Sequence, residues 1–172
     1  MNSMIRPKDW EDPVVLPEAV APKRVLVCFD GSHTSERALA WASLLAGATT
    51  AELVVIVAFE QPLTMRGRGA LYVESIRDEL EGEATELARE AVAALTGQGL
   101  NARGVVVKGE VAHAILDTAE DEACDLIILG RQGLSAELRG VAGSIDRIRE
   151  RLHGSVTDKV VRHASMQVLV VG

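Results

Sequence analysis

Gly130 and Gly133 follow at once on the apolar run Leu126-Ile127-Ile128-Leu129. Glycine accepts positive φ and lets a ligand come close to the backbone. Farther on, Gly143-Ser144 and Gly154-Ser155 both read as helix starts. Serine is a good N-cap, and a helix N-terminus offers unpaired N–H groups to an anion. A strand, a glycine loop and a Gly-Ser helix start together make phosphate-binding chemistry. The plain alternative is a tight turn, which needs the same glycines. A second polar exit, Asp30-Gly31-Ser32, ends another apolar run. Its aspartate can accept hydrogen bonds from a ligand or from its own turn.

Other chemistries are missing from the chain. There is no Gly-x4-Gly-Lys-Ser/Thr P-loop, and Gly67-x-Gly69 is followed by Tyr72 where a dinucleotide fingerprint needs glycine. There is no Gly-x-Ser-x-Gly elbow. His33, His113, His153 and His163 stand at no metal-binding spacing and read as solvated or satisfied side chains. Cys28 and Cys124 would sit several residues out of register in neighbouring parallel strands, too far apart for a disulfide. They read as small buried thiols. No nucleophile stands beside a base, so no catalytic residue is assigned.

The elements that must position these residues alternate along the chain. Lys23 to Phe29 reads as a strand, and Ala38, Leu39, Ala42, Leu45 and Ala46 as one face of a helix ending near Gly47. Leu53 to Phe59 is a second strand, and Pro62 to Ala70 a loop. Leu71 to Leu95 is a long helix with Ile76, Leu80, Ala84, Leu87, Ala91 and Leu95 on one stripe, ended by Gly97-Gln98-Gly99. Ala102 to Val107 is a third strand, Val111 to Glu122 a helix, and a fourth strand begins at Asp125. A last helix and the strand Gln167 to Val171 close the chain. Alternation of this kind gives a parallel sheet with right-handed crossovers. Residues 1 to 22 hold four of the five prolines and sustain no period, so they read as an extended N-terminal arm, with Trp10 or Leu16 as candidates to dock on the body.

Bulk composition narrows the function. The chain has 172 residues, enough for one domain, 23–172, after the arm. Its formal net charge is −7, which argues against nucleic acid as a partner, since phosphate backbones select basic surfaces. No apolar run approaches the ~20 residues that span a bilayer, and the N-terminus has no secretory h-region. A membrane role is not expected, and a cytoplasmic location follows by default.

Over nearly all of residues 23 to 172 the chain resembles the universal stress protein family. The resemblance is carried by VCFDGSHTSERALAWA, by Gly130 and Gly133 of the family's Gly-x2-Gly-x9-Gly-Ser/Thr, and by GSVTDKVVRHASMQVLVV. It implies an α/β fold that is Rossmann-like and adenine nucleotide alpha hydrolase-like: one doubly wound five-stranded parallel sheet, order 3-2-1-4-5, with helices on both faces. In such sheets ligands bind outside the carboxyl ends of the strands, where strand order reverses. That point lies between the first and fourth strands, where both polar exits fall.

By this resemblance Asp30 would lie beside the adenosine, and the backbone of Ala58 would contact adenine. Gly130, Gln132 and Gly133 would meet phosphate, and Gly154, Ser155 and Val156 the terminal phosphates. The implied ligand is ATP, or AMP or ADP, with a divalent cation at the phosphates as an option. The implied role is a stress-response sensor or regulator rather than an enzyme, although slow ATP hydrolysis is compatible with it. A ligase or pyrophosphatase of related architecture would need a Ser-Gly-Gly loop after the first strand, and DGSHTS does not supply one. The family also implies a homodimer in which Gln167 to Val171 pairs with its own copy; an apolar edge strand seeks a partner. Met166-Gln167 stands where the family often has proline.

The chain departs from the family in one place. Nine residues after Gly133 comes Gly143-Ser144, but counting back from VLVV the family's helix start falls on Gly154-Ser155, eleven residues later. Eleven residues are close to three helical turns, so apolar phase survives through Ile145, Ile148, Leu152, Val156 and Val160. Either the loop is enlarged by a segment of its own, or the last helix is lengthened. The enlarged loop is favoured, because a helix longer by eleven residues would carry its N-terminus ~16 Å past the sheet edge. Ser155 then starts the last helix and Ser144 only the insertion. Arg139, Arg147, Arg149 and Arg151 in the insertion read as a solvated charged face or as a lid over phosphates. If the insertion blocks the site, the alternative function is a dimeric interaction module that binds no nucleotide.

Overall fold

The structure is a computed structural model; it describes residues 18, 20–60, 69–133 and 156–172. Among these residues five strands are present: β1 (Arg24–Cys28), β2 (Glu52–Phe59), β3 (Ala102–Lys108), β4 (Leu126–Gly130) and β5 (Gln167–Val171). Among the described residues four helices connect or follow them: α1 (His33–Thr49), α2 (Gly69–Thr96), α3 (Val111–Asp121) and α4 (Val156–His163). The strands form one sheet in the order β3-β2-β1-β4-β5, with every pair parallel, as expected.

The apolar strands are buried because helices cover both faces. Val25 and Val27 point to one face and Leu26 to the other, and all three are 0% exposed. On the first face they meet Ala38, Ala42 and Ala46 of α1 and Ala91 and Leu95 of α2. On the second, Leu26, Val54, Ile56 and Ile127 pack on Ala112, Ile115 and Ala119 of α3 and on Val160 of α4. The helix contacts are largely alanine, so the helices lie close to the sheet. Each fully buried valine or leucine stabilises the fold by about 1.5–3 kcal/mol.

Several boundaries differ from the sequence reading. β1 begins at Arg24: Lys23 O accepts from Glu52 N–H at 2.9 Å, the first bond of the β1–β2 ladder, but Lys23 N–H is taken by the Asp125 side chain, at 2.7 Å to Oδ2, rather than by a neighbouring strand. α1 runs past Gly47 to Thr49, and Thr50 closes it at φ 61° with its N–H bonded to Ala46 O. Gly47 is therefore a helical residue; the buried Ala46 holds the last turn to the sheet. In α2 the buried stripe is Ala84, Ala88, Ala91 and Leu95, with Ile76 and Leu80 only partly covered. The arm with Trp10 and Leu16, and the insertion with Ser144, Gly154 and Ser155, lie outside the described residues.

At the amino ends of the strands a charge lattice ties distant segments together. Arg24 Nε reaches Glu52 Oε2 at 2.8 Å, and Arg103 Nε reaches Glu52 Oε1 at 2.9 Å. Arg103 also pairs with Glu122. Asp125 Oδ2 accepts the backbone N–H groups of Lys23 and Arg24 at 2.7 and 2.9 Å. The opposite end is thereby left to the polar exits.

Candidate functional site

β1 is flanked by β2 and β4, so its exit is the switch point of the sheet. Arg24 pairs with Glu52, and continuing that register sets Asp30 level with Ala58. Val27 pairs with Ile128, which sets Phe29 level with Gly130. The structure therefore brings Asp30, Ala58, Gly130, Gln132 and Gly133 to one end of three adjacent strands. Val156 and Thr157 in the first turn of α4 join them; Gly154 and Ser155 lie outside the described residues.

Asp30 is held by the turn it starts. Its Oδ1 accepts from Ser32 N–H at 3.1 Å, and its own N–H points to Ser35 Oγ at 3.4 Å. Gly31 provides the left-handed turn residue at φ 78°. Ser32 then caps α1, its Oγ accepting from Ser35 N–H at 3.2 Å. Ser35 Oγ–H donates back to Ser32 O at 2.9 Å. Ser32 is 0% exposed, and these bonds satisfy its hydroxyl. The other carboxylate oxygen, Oδ2, faces the β4 exit: a Cβ at Gly133 would lie 2.8 Å from it.

The β4 exit is gripped from both sides. Arg131 N–H donates to Val171 O at 2.7 Å, so the strand pairing reaches into the turn. Thr157 Oγ1 lies 3.1 Å from Gly130 O and 3.3 Å from Arg131 O. From the other face Thr34 Oγ1–H donates to Gln132 O. Gly130 is glycine for a reason the sequence reading did not see. A Cβ there would stand 2.5 Å from Thr34 Oγ1 and 3.0 Å from the Thr34 backbone carbon. Close approach of α1 requires glycine at this position, whatever binds nearby.

Thr34 and Thr157 were missed as site residues. The available signal was the density of hydroxyls in the first turns after the exits: Ser32, Thr34 and Ser35 at one, Thr157 at the other.

The remaining candidates have settled roles. Lys159 Nζ sits 2.9 Å from Glu110 Oε1 and joins α4 to the start of α3; this bond holds the Glu110 carboxyl below its usual range. His113 lies 2.6 Å from Glu110. Cys28 and Cys124 are both free thiols. Burial pushes the Cys28 thiol well up, and Asp30 adds to this; burial pushes Cys124 up to about 11. Neither is a thiolate at neutral pH. Among the described residues no group of three or more His, Cys, Asp or Glu side chains could hold a metal ion. A groove of about 470 Å³ lies elsewhere, between β3 and α3, lined by Val107, Glu110, His113, Asp117, Asp121 and Glu122 among others.

A doubly wound parallel sheet with two polar exits meeting at its switch point is a Rossmann-like α/β protein. Comparison with known proteins narrows that class. The sequence profile of the universal stress protein family matches residues 22–172. Universal stress protein YxiE of Bacillus subtilis is 31% identical over 155 residues, covering 86% of this chain and 97% of the relative. The chain belongs to the universal stress protein family. Among solved structures, universal stress protein UspA from Lactobacillus plantarum superposes with a TM-score of 0.73 at 22% identity, covering 90% of this chain and all of that one, a likeness of fold. A universal stress protein crystallised in complex with cAMP superposes with a TM-score of 0.64 at 28% identity, covering 89% of this chain and 99% of that one. No helix among the described residues is long and apolar enough to cross a membrane.

Proposed function

We propose that the protein binds an adenine nucleotide, ATP or its mono- or diphosphate, at the crevice between the β1 and β4 exits. It would act as a cytoplasmic stress-response sensor or regulator. The observation that carries this is the Asp30 carboxylate facing the glycine turn after β4. A carboxylate for ribose or base hydroxyls and amines thus stands beside backbone N–H groups for phosphate. The cAMP complex of a relative at 28% identity supports the same ligand class. Among the described residues at the exits no general base or acid is assigned, and slow turnover of bound ATP is compatible with this role. Any divalent cation would arrive with the phosphates.

A second feature supports a homodimer. β5 stands at a sheet edge, and Val170 on it is 38% exposed, with Val161 of α4 at 51%. Pairing of β5 with its own copy would cover that edge. Light scattering at micromolar concentration should give twice the chain mass, and a monomer would remove this part of the reading. The same edge would serve the alternative, an interaction module whose insertion between Gly133 and Gly154 keeps nucleotide out.

Nucleotide retained after purification, followed by calorimetry with ATP, separates the two. Asp30→Ala should weaken binding by about 1 kcal/mol or somewhat more, the worth of a lost polar hydrogen bond, without unfolding the protein. Equal affinity of the variant and the wild type would take Asp30 out of the site. Failure of the wild type to bind any adenine nucleotide would favour the interaction module.

A further inference from the structure

We infer that Thr34 is a positioning residue for the anion-binding turn after β4, aiming the N–H of Gly133 through the carbonyl of Gln132. This rests on the nucleotide reading above and assigns a role inside that site. Thr34 belongs to α1, which packs on the sheet face carrying Val25 and Val27. Its Oγ1–H donates to Gln132 O, 98 residues away in sequence. In a planar trans peptide the C=O and the following N–H point in opposite directions. With the Gln132 carbonyl held toward α1, the Gly133 N–H points away from α1, toward the face that carries α4. The first turn of α4 lies at that side of the exit, because Thr157 Oγ1 reaches Gly130 O and Arg131 O at 3.1 and 3.3 Å.

The two threonines thus hold three successive carbonyls, those of Gly130, Arg131 and Gln132. Thr157 occupies the carbonyls of Gly130 and Arg131 on the α4 side, and Thr34 turns the carbonyl of Gln132 to the opposite face, away from the side to which the Gly133 donor points. Arg131 N–H is used by Val171 O at 2.7 Å. Among the described residues no hydrogen bond takes the N–H of Gln132 or Gly133. Thr34 is itself braced, with Ser32 Oγ at 3.4 Å from Thr34 Oγ1. Ser32 also donates its N–H to Asp30 Oδ1 at 3.1 Å. One short segment, Ser32 to Ser35, therefore positions both walls of the crevice: the Asp30 carboxylate and the Gly133 donor.

The test compares wild type, Thr34→Val and Thr34→Ser by calorimetry with ATP and with adenosine. Valine keeps the shape and removes the hydroxyl; serine keeps the hydroxyl. Thr34→Val should lower ATP affinity roughly fivefold, the worth of about one hydrogen bond, leave adenosine affinity unchanged, and be rescued by Thr34→Ser. Should Thr34→Val fail to fold, Thr34→Ala takes its place against Thr34→Ser. Equal loss of ATP and adenosine, equal loss in the valine and serine variants, or no loss at all would overturn the inference. If wild-type protein binds no adenine nucleotide, the nucleotide reading fails by itself. The positioning role is then decided by titrating 15N-labelled protein with tripolyphosphate. A shift of the Gly133 amide in wild type that vanishes in Thr34→Val sustains it, and an unmoved Gly133 amide overturns it.

Discussion

Asp30 and Gly133 occupy one another's space across the switch point: a Cβ on Gly133 would lie 2.8 Å from Asp30 Oδ2. The two residues are far apart in sequence and sit on the exits of β1 and β4. Oδ2 is the far end of a flexible side chain, so it can shift away from a methyl group at Gly133. Gly133→Ala should therefore change stability by no more than about 0.5 kcal/mol, as surface substitutions do. It should weaken adenine-nucleotide binding, because the shift takes Asp30 off its position. Calorimetry with ATP beside a urea melt reads both effects; full affinity in the variant would separate Gly133 from the function of Asp30.

Gly130→Ala should behave in the opposite way. Its Cβ would meet Thr34 at 2.5 Å to Oγ1, 2.9 Å to Cβ and 3.0 Å to the backbone carbon. A helix backbone cannot swing aside, so α1 must move off the sheet. A cost of about 1–3 kcal/mol is expected, as for other overpacked sites. A melting temperature equal to that of the wild type would show that α1 is more loosely docked than the structure has it.

The charge lattice at the amino ends of the strands should give the protein an acid-side stability slope. Hydrogen bonds from Arg103 and then Arg24 hold the Glu52 carboxyl below its usual range. Arg103 does the same for Glu122, and the backbone N–H groups of Arg24 and Lys23 for Asp125. A depressed folded-state value means stability that is complete above the unfolded value and lost as pH falls through the folded one. Stability should thus hold from neutral pH to about pH 4.5 and then drop, since ordinary carboxylates titrate near there. Glu52→Gln should lower the urea midpoint at pH 7 and flatten the drop below pH 4.5. An unchanged slope in that variant would mean that solvent screens the lattice fully.

Ser155 and Ser144 have the same local chemistry and differ only in position. If the insertion enlarges the loop, Ser155 starts the helix that the structure shows from Val156. Ser155→Ala should then weaken nucleotide binding and cost about 1 kcal/mol of stability through the lost cap. Ser144→Ala should leave affinity unchanged. The reverse ranking in a binding assay would mean that the last helix begins at Ser144.

Much of the fold was legible in the sequence by itself. Apolar runs such as Leu126 to Leu129 and Leu53 to Val57 mark strands buried on both faces. Their alternation with helical stripes leaves few topologies besides a parallel sheet. The aspartate and glycine exits could be read as ligand chemistry, because turn residues announce themselves locally. The resemblance of DGSHTS and GSVTDKVVRHA to one family then placed the two exits side by side. What only the tertiary structure decided is why individual residues are what they are. Gly130 was read as a ligand-facing glycine, but α1 seats Thr34 against it. Thr34 and Thr157 stand out in the sequence only as members of a cluster of hydroxyls after the exits, since their partners are the carbonyls of Gln132, Gly130 and Arg131, and a backbone carbonyl has no sequence signature. Side-chain-to-backbone bonds between segments 98 and 27 residues apart exist only once helix packing has set the distances, and packing is a property of the whole sheet rather than of any window along the chain.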